Sequence, residues 1–121
     1  MARILIVDDS ATQMHNLKTM LEKAGHETLS AINGLEGIQK AESDQPDLIL
    51  MDVVMPELNG FQATRKITSN DKTKHIPVIL VTTKDQDTDK IWGERQGAKG
   101  YLVKPPAEQD LLAMVDANLP A

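Results

Sequence analysis

The sequence predicts an α/β domain with a doubly wound, five-stranded parallel sheet in the order 2-1-3-4-5. Three observations carry this. Short apolar runs alternate with segments of helical periodicity five times along the chain. The runs at 3–7, 47–51 and 77–82 are almost continuously apolar, as expected for strands covered on both faces. Polar residues with N-cap character stand in front of the first three helical segments. Alternating strand and helix gives a parallel sheet with helices on both sides. Right-handed crossovers restrict the topology, and 2-1-3-4-5 is the common order for five strands.

The first strand, 3–7, reads RILIV and runs straight into Asp8 and Asp9. In the first helix Met14, Leu17, Leu21 and Ala24 recur at three and four, one helical face. Ser10 with Gln13 reads as its capping box, and Gly25 closes it. The second strand is 27–31. Asn33 with Glu36 then repeats the capping spacing ahead of Leu35, Ile38 and Ala41. The third strand, 47–51, ends on Asp52. Asn59 with Gln62 opens the third helix, whose apolar positions are Phe61, Ala63, Thr64 and Ile67. The fourth strand, 77–82, closes on Thr82, and a helix over 88–96 follows, ending at Gly97. The fifth strand is 100–103. The last helix covers 107–118, with Leu111, Leu112, Val115 and Leu119 facing inward.

At 121 residues, without a linker, repeat or low-complexity tract, the chain reads as one domain, 1–121. Its 13 basic and 18 acidic residues give a net charge of -5, which argues against a nucleic-acid surface. The absence of cysteine excludes disulfides and thiolate metal sites and suits a reducing compartment. The N-terminus turns acidic too soon for a signal peptide. No apolar stretch approaches the ~20 residues of a membrane helix. A cytoplasmic protein without membrane insertion is expected. His15, His26 and His75 are scattered and read as surface residues.

In the predicted order, strands one and three are neighbours, and their carboxyl ends border the crevice where such sheets bind ligands. Asp8, Asp9 and Asp52 therefore converge on one rim. Taken singly, Asp8 and Asp9 could help cap the first helix, and Asp52 could begin a turn before Pro56. Together they repel by roughly 1 kcal/mol per pair at ~4 Å in water, and about 4 at an effective dielectric of 20. Such a cluster raises a pKa or recruits a cation. Oxygen donors without nearby His or Cys favour Mg²⁺ or Mn²⁺, and Mg²⁺ commonly shares its shell with a phosphate. Thr82 and Lys104 fall on the same edge. Alone, Lys104 could be a structural ion pair and Thr82 a buried, satisfied strand residue. With three carboxylates they supply the ammonium and hydroxyl that a bound phosphoryl group needs.

These segments, IVDDS, LILMDVVMPELNG, VTT and GAKGYLVKPP, resemble the response-regulator receiver domain of two-component signalling, in order, from Arg3 to about Leu119. The resemblance implies the CheY-like, flavodoxin-type fold and a phosphoacceptor signalling protein rather than an enzyme. It implies Asp52 as the phospho-acceptor, Asp9 as a direct Mg²⁺ ligand and Asp8 as an acid acting through metal-bound water. The main-chain carbonyl of Val54 is implied as a further ligand and Lys104 as the phosphoryl-contacting lysine. Pro105 is implied to follow a cis peptide, and Thr82 with Tyr101 to form the switch pair.

Two positions depart from the common pattern. Val54 has no polar side chain to orient an attacking water, and Thr83 is larger than the frequent alanine; both imply slower loss of the phosphoryl group. Pro106 replaces the usual bulky apolar residue. The chain ends about where a receiver ends, so it is expected to act alone, as a monomer or weak dimer. Its expected partner docks on the face made by the fourth helix, fifth strand and fifth helix. Trp92 is placed near that face with Tyr101, as a contact residue or as simple packing.

Within the family, MARILIVDDSATQM and NGFQATRKIT are most similar to PilH-type regulators of type IV pilus twitching motility. That implies a CheA-like histidine kinase or phosphotransfer domain as donor and a role that can include draining phosphoryl groups. A CheY-type chemotaxis receiver is the nearest alternative. A Mg²⁺-dependent phosphohydrolase is the alternative from another class, but it needs an Asp where Val54 stands.

Overall fold

The computed structural model describes residues 2–119. Strands β1 (Arg3–Val7), β2 (Glu27–Ala31), β3 (Leu48–Met51), β4 (Val78–Thr82) and β5 (Gly100–Val103) alternate with five helices. These are α1 (Ala11–Lys23), α2 (Gly34–Asp44), α3 (Gly60–Ser69), α4 (Asp87–Arg95) and α5 (Glu108–Asn118). All strand pairs are parallel, in the order β2-β1-β3-β4-β5. This is the predicted topology.

Side-chain alternation along the strands builds two cores. Ile4, Ile6, Leu48, Leu50, Ile79 and Val81 point to one face, under Leu17 and Leu21 of α1 and Leu111 and Val115 of α5. Leu5, Val7, Ile49, Met51, Val78 and Leu80 point to the other, under Ala41 of α2 and Phe61, Ala63 and Ile67 of α3. The central strands β1, β3 and β4 are thus apolar on both sides, which explains their uninterrupted runs. The edge strand β2 is half exposed and reads as a mixed sequence.

The helix signals work unevenly. Asn59 and Gln62 form the complete reciprocal capping box. Asn33 accepts from the Glu36 N–H, but the Glu36 carboxylate reaches back to the Ile32 N–H, one residue earlier than a capping box requires. Ser10 accepts from Gln13 N–H at 3.3 Å. Gly25 and Gly97 follow the ends of α1 and α4 at φ of +93° and +98°, a conformation other residues reach only with strain.

Five boundaries shift by one residue, one of them the end of α4, which closes at Arg95 with Gln96 as its C-cap. Asp47 lies outside β3, and its carboxylate accepts from the Arg3 N–H. Pro77 has no N–H for the ladder, so β4 begins at Val78. Helix α4 starts at Asp87, because Asp89 Oδ2 accepts from the Gln86 N–H and fixes Gln86 as the N-cap. Helix α5 starts at Glu108, after Ala107 in extended conformation.

Candidate functional site

The backbone ladder continues past the strand ends and sets the site. Asp8 N–H donates to Ala31 O at 3.0 Å, Asp52 N–H to Val7 O at 2.9 Å, and Lys104 N–H to Thr82 O at 2.9 Å. Each of these three site residues is therefore held one step beyond its strand by the neighbouring strand.

The side chains converge. Carboxylate oxygens of Asp8, Asp9 and Asp52 lie within 4.8 Å of one another. Lys104 Nζ is 2.6 Å from Asp8 Oδ2 and 3.5 Å from Asp52 Oδ2. Asp8 and Asp52 are 2% and 7% exposed, and Thr82 is fully buried. The acids converge on the rim as expected from strand order, but two of them are buried in it. Asp9 alone is open to solvent. The ion pair expected as the alternative role of Lys104 is present, and it lies inside the acidic cluster.

Burial is tolerable because each buried carboxylate has an ammonium and a backbone N–H beside it. Asp8 Oδ1 accepts from the Ser10 N–H at 2.9 Å, and Asp52 Oδ1 from the Val54 N–H at 3.3 Å. Burial pushes the Asp52 carboxyl above the usual aspartate range. Lys104 opposes that shift, Asp8 reinforces it, and the Val54 N–H and the Thr82 hydroxyl pull back down. Three carboxylates face one ammonium, leaving two formal negative charges on an all-oxygen donor set. That set fits a small, hard divalent cation. The Val54 carbonyl accepts no hydrogen bond among the described residues, so a further oxygen is available beside the cluster.

Tyr101 lies behind the cluster. Its ring packs against the α2–α3 side of the core, and its hydroxyl donates to Lys84 O at 2.8 Å. Burial, with Asp89, Asp85 and Asp52 nearby, pushes the phenol up to about 12, so it remains a donor at neutral pH. The Lys104–Pro105 peptide is cis. Val54 and Thr83 are exposed at the mouth.

Trp92 stands elsewhere than expected. It is 50% exposed and lines a groove with α3 residues, whereas Tyr101 lies on the other side of α4 beside Lys90 and Glu94. Packing under α4 is taken instead by Gly93, against Leu80, Tyr101 and Phe61.

Gly60 is a determinant that spacing does not single out. A Cβ there would run into the Asp52 carbonyl oxygen, and Gly60 N–H donates to Val53 O at 2.9 Å. The start of α3 is pressed against the backbone that carries Asp52. Only the position of this glycine, eight after the acid and at the first turn of a capped helix, could have signalled it.

Known proteins share this sequence pattern and fold. The family model described as the response regulator receiver domain matches residues 4–116. Protein PilH of Pseudomonas aeruginosa is 60% identical over 119 residues, 98% of each chain. Protein PilG of the same organism is 34% identical, over 98% of this chain and 88% of PilG. The chemotaxis protein CheY4 of Vibrio cholerae superposes with a TM-score of 0.91 at 34% identity, covering 98% of this chain and 99% of that one. The receiver domain of a Pseudomonas aeruginosa sensor histidine kinase, solved with magnesium coordinated in its active-site cleft, has a TM-score of 0.89 at 27% identity, over 97% and 96% of the chains. Among the described residues no helix is long and apolar enough to cross a membrane. A match spanning nearly the whole sequence, on the same fold, places this chain in the response regulator receiver domain family.

Proposed function

We propose that this chain is a phosphorylation-dependent signalling switch. It accepts a phosphoryl group on Asp52 from a phosphohistidine of a histidine kinase or phosphotransfer domain. The observation that carries this reading is Lys104 Nζ between Asp8 and Asp52, in a cluster short of positive charge.

In the reaction an Asp52 carboxylate oxygen attacks phosphorus, the P–N bond of the donor breaks, and the imidazole leaves with a proton. Asp9 and Asp52, with the Val54 carbonyl, would hold Mg²⁺, and Asp8 would orient its water shell. Bound there, the ion neutralises phosphoryl oxygen charge, which otherwise repels a carboxylate nucleophile. Lys104 exchanges part of its contact with Asp8 for a phosphoryl oxygen. Thr82 donates its hydroxyl to another. Positioning and charge neutralisation are the whole of the catalysis.

The output is a population shift driven by the added charge of ≈ -1.5 to -2. When Thr82 turns toward the phosphoryl group, Tyr101 moves inward behind it. That remodels the α4–β5–α5 face, where a downstream protein docks. The 60% identity to Protein PilH supports a place in type IV pilus twitching motility, with a CheA-like donor.

Incubation with acetyl phosphate and Mg²⁺, followed by intact-mass measurement, tests the reading. One phosphoryl group should be gained, and lost in Asp52→Asn or on chelation of the metal. Steady turnover of phosphate esters without a phosphorylated protein would replace it with the hydrolase reading.

A further inference from the structure

A groove of about 470 Å³ lies between α3 and α4, away from the α4–β5–α5 face. Leu58 and Phe61 form its apolar floor, and Trp92 forms one wall with half of its surface in solvent. Arg65 and Lys66 stand on its α3 side. No carboxylate lines it, although the chain as a whole carries a net charge of -5. Neither Arg65 nor Lys66 takes part in an ion pair among the described residues. The groove is thus apolar at its base and positive at its edge.

We propose that this groove docks an acidic amphipathic helix of a partner protein, with an apolar side chain seated between Trp92 and Phe61. Charge complementarity selects the occupant. Unpaired cations on an acidic protein attract carboxylates and repel basic segments. A trough between two helices suits a third helix read through anchors at i, i+3, i+4 and i+7. A rigid, half-exposed indole beside arginine has the composition of an interface hot spot. A second copy of this chain is a poorer occupant, because two identical grooves would face each other with like charge. The inference does not depend on phosphoryl transfer to Asp52.

Trp92 is the sole tryptophan, so its emission reports on the groove directly. The probes are three tryptophan-free synthetic peptides of about 18 residues, about five helical turns. One is acidic with a helical Leu/Phe stripe. One is basic with the same stripe. One is acidic with the stripe replaced by serine. The expected result is a saturable emission change with the first peptide only, weakened at least about five-fold between about 0.05 and about 0.5 M NaCl. Arg65→Glu with Lys66→Glu should weaken it about ten-fold or more. Both positions are exposed, and circular dichroism verifies folding. Equal binding of the basic peptide, no saturable change with the acidic one, or no effect of charge reversal would overturn the proposal. So would an emission change that follows protein concentration without peptide and coincides with dimers in sedimentation, which would assign the groove to a second copy.

Discussion

Around Asp52 the molecule buries charge, while around Trp92 it leaves an aromatic ring in solvent. Both regions depart from the ordinary partition of polar outside and apolar inside. They differ in where compensation comes from. At the sheet edge it is internal: Lys104, the Ser10 and Val54 N–H groups and Thr82 answer two buried carboxylates. At the groove half of the Trp92 surface stays in solvent, and no carboxylate among the described residues pairs with Arg65 or Lys66. A buried charge with built-in partners is sensitive to every change in its surroundings. An exposed ring without them is dispensable to the fold.

The largest expected effect follows from removing the charge that the edge is built around. Asp52→Asn should abolish phosphoryl uptake by intact mass. In metal-free buffer the same variant should have a higher Tm at neutral pH than the parent. The folded-state pKa of Asp52 lies above the ordinary 3.8, so the folded state binds the proton more tightly than the unfolded state. Stability is then lost as pH rises through that window, a cost the amide lacks, and the advantage vanishes below about pH 3.8. A lower Tm at neutral pH would show that the carboxylate stabilises the fold.

Next comes Lys104→Met, which leaves two buried carboxylates without their ammonium. It should cost about 3–5 kcal/mol by urea denaturation without metal. Mg²⁺ should restore part of this, and phosphorylation should slow about 100-fold or more. An unchanged midpoint would mean that Lys104 does not hold the acids together. Gly60→Ala comes third. Its methyl group meets the Asp52 carbonyl, and overpacking there should cost about 1–3 kcal/mol, with slower phosphorylation as the acceptor is displaced.

A smaller, purely kinetic effect is expected at the mouth. Val54→Asn supplies an amide able to orient water and should shorten the lifetime of phospho-Asp52 several-fold, measured by decay of the phosphorylated mass. An unchanged lifetime would remove Val54 from the account. The smallest effect is expected at the groove. Trp92→Ala should change stability by about 1 kcal/mol or less and leave phosphoryl uptake intact. A loss comparable to that of Lys104→Met would mean that the ring supports the core.

Most of the sheet could be read in advance because its central strands are apolar on both faces. The runs at 4–7 and 48–51 are too short for buried helices and too apolar for loops, and helical periods separate them. The convergence of Asp8, Asp9, Asp52, Thr82 and Lys104 followed from strand order alone, since each lies at a carboxyl end. Depth was not legible. Whether an acid at a strand end is exposed, like Asp9, or buried, like Asp8, depends on which side the chain turns and on a lysine 96 residues away. Gly60 escaped for a related reason: a glycine chosen for close approach looks like any other until the opposing carbonyl is known. The placement of Trp92 turned on the rotation of a short helix whose mixed sequence marks no clear buried face.

On the proposed reading, a phosphoryl group on Asp52 is met by Lys104 and Thr82 beside a metal held by the acidic rim. A crystal structure with Mg²⁺ and beryllofluoride, a phosphoryl mimic, tests it most directly. The predicted result is beryllium bonded to an Asp52 carboxylate oxygen, fluorines within hydrogen-bonding reach of Lys104 Nζ and the Thr82 hydroxyl, and Mg²⁺ between Asp9 and Asp52. Beryllofluoride on a different carboxylate, or Lys104 still paired only with Asp8 while the mimic is bound, would contradict it.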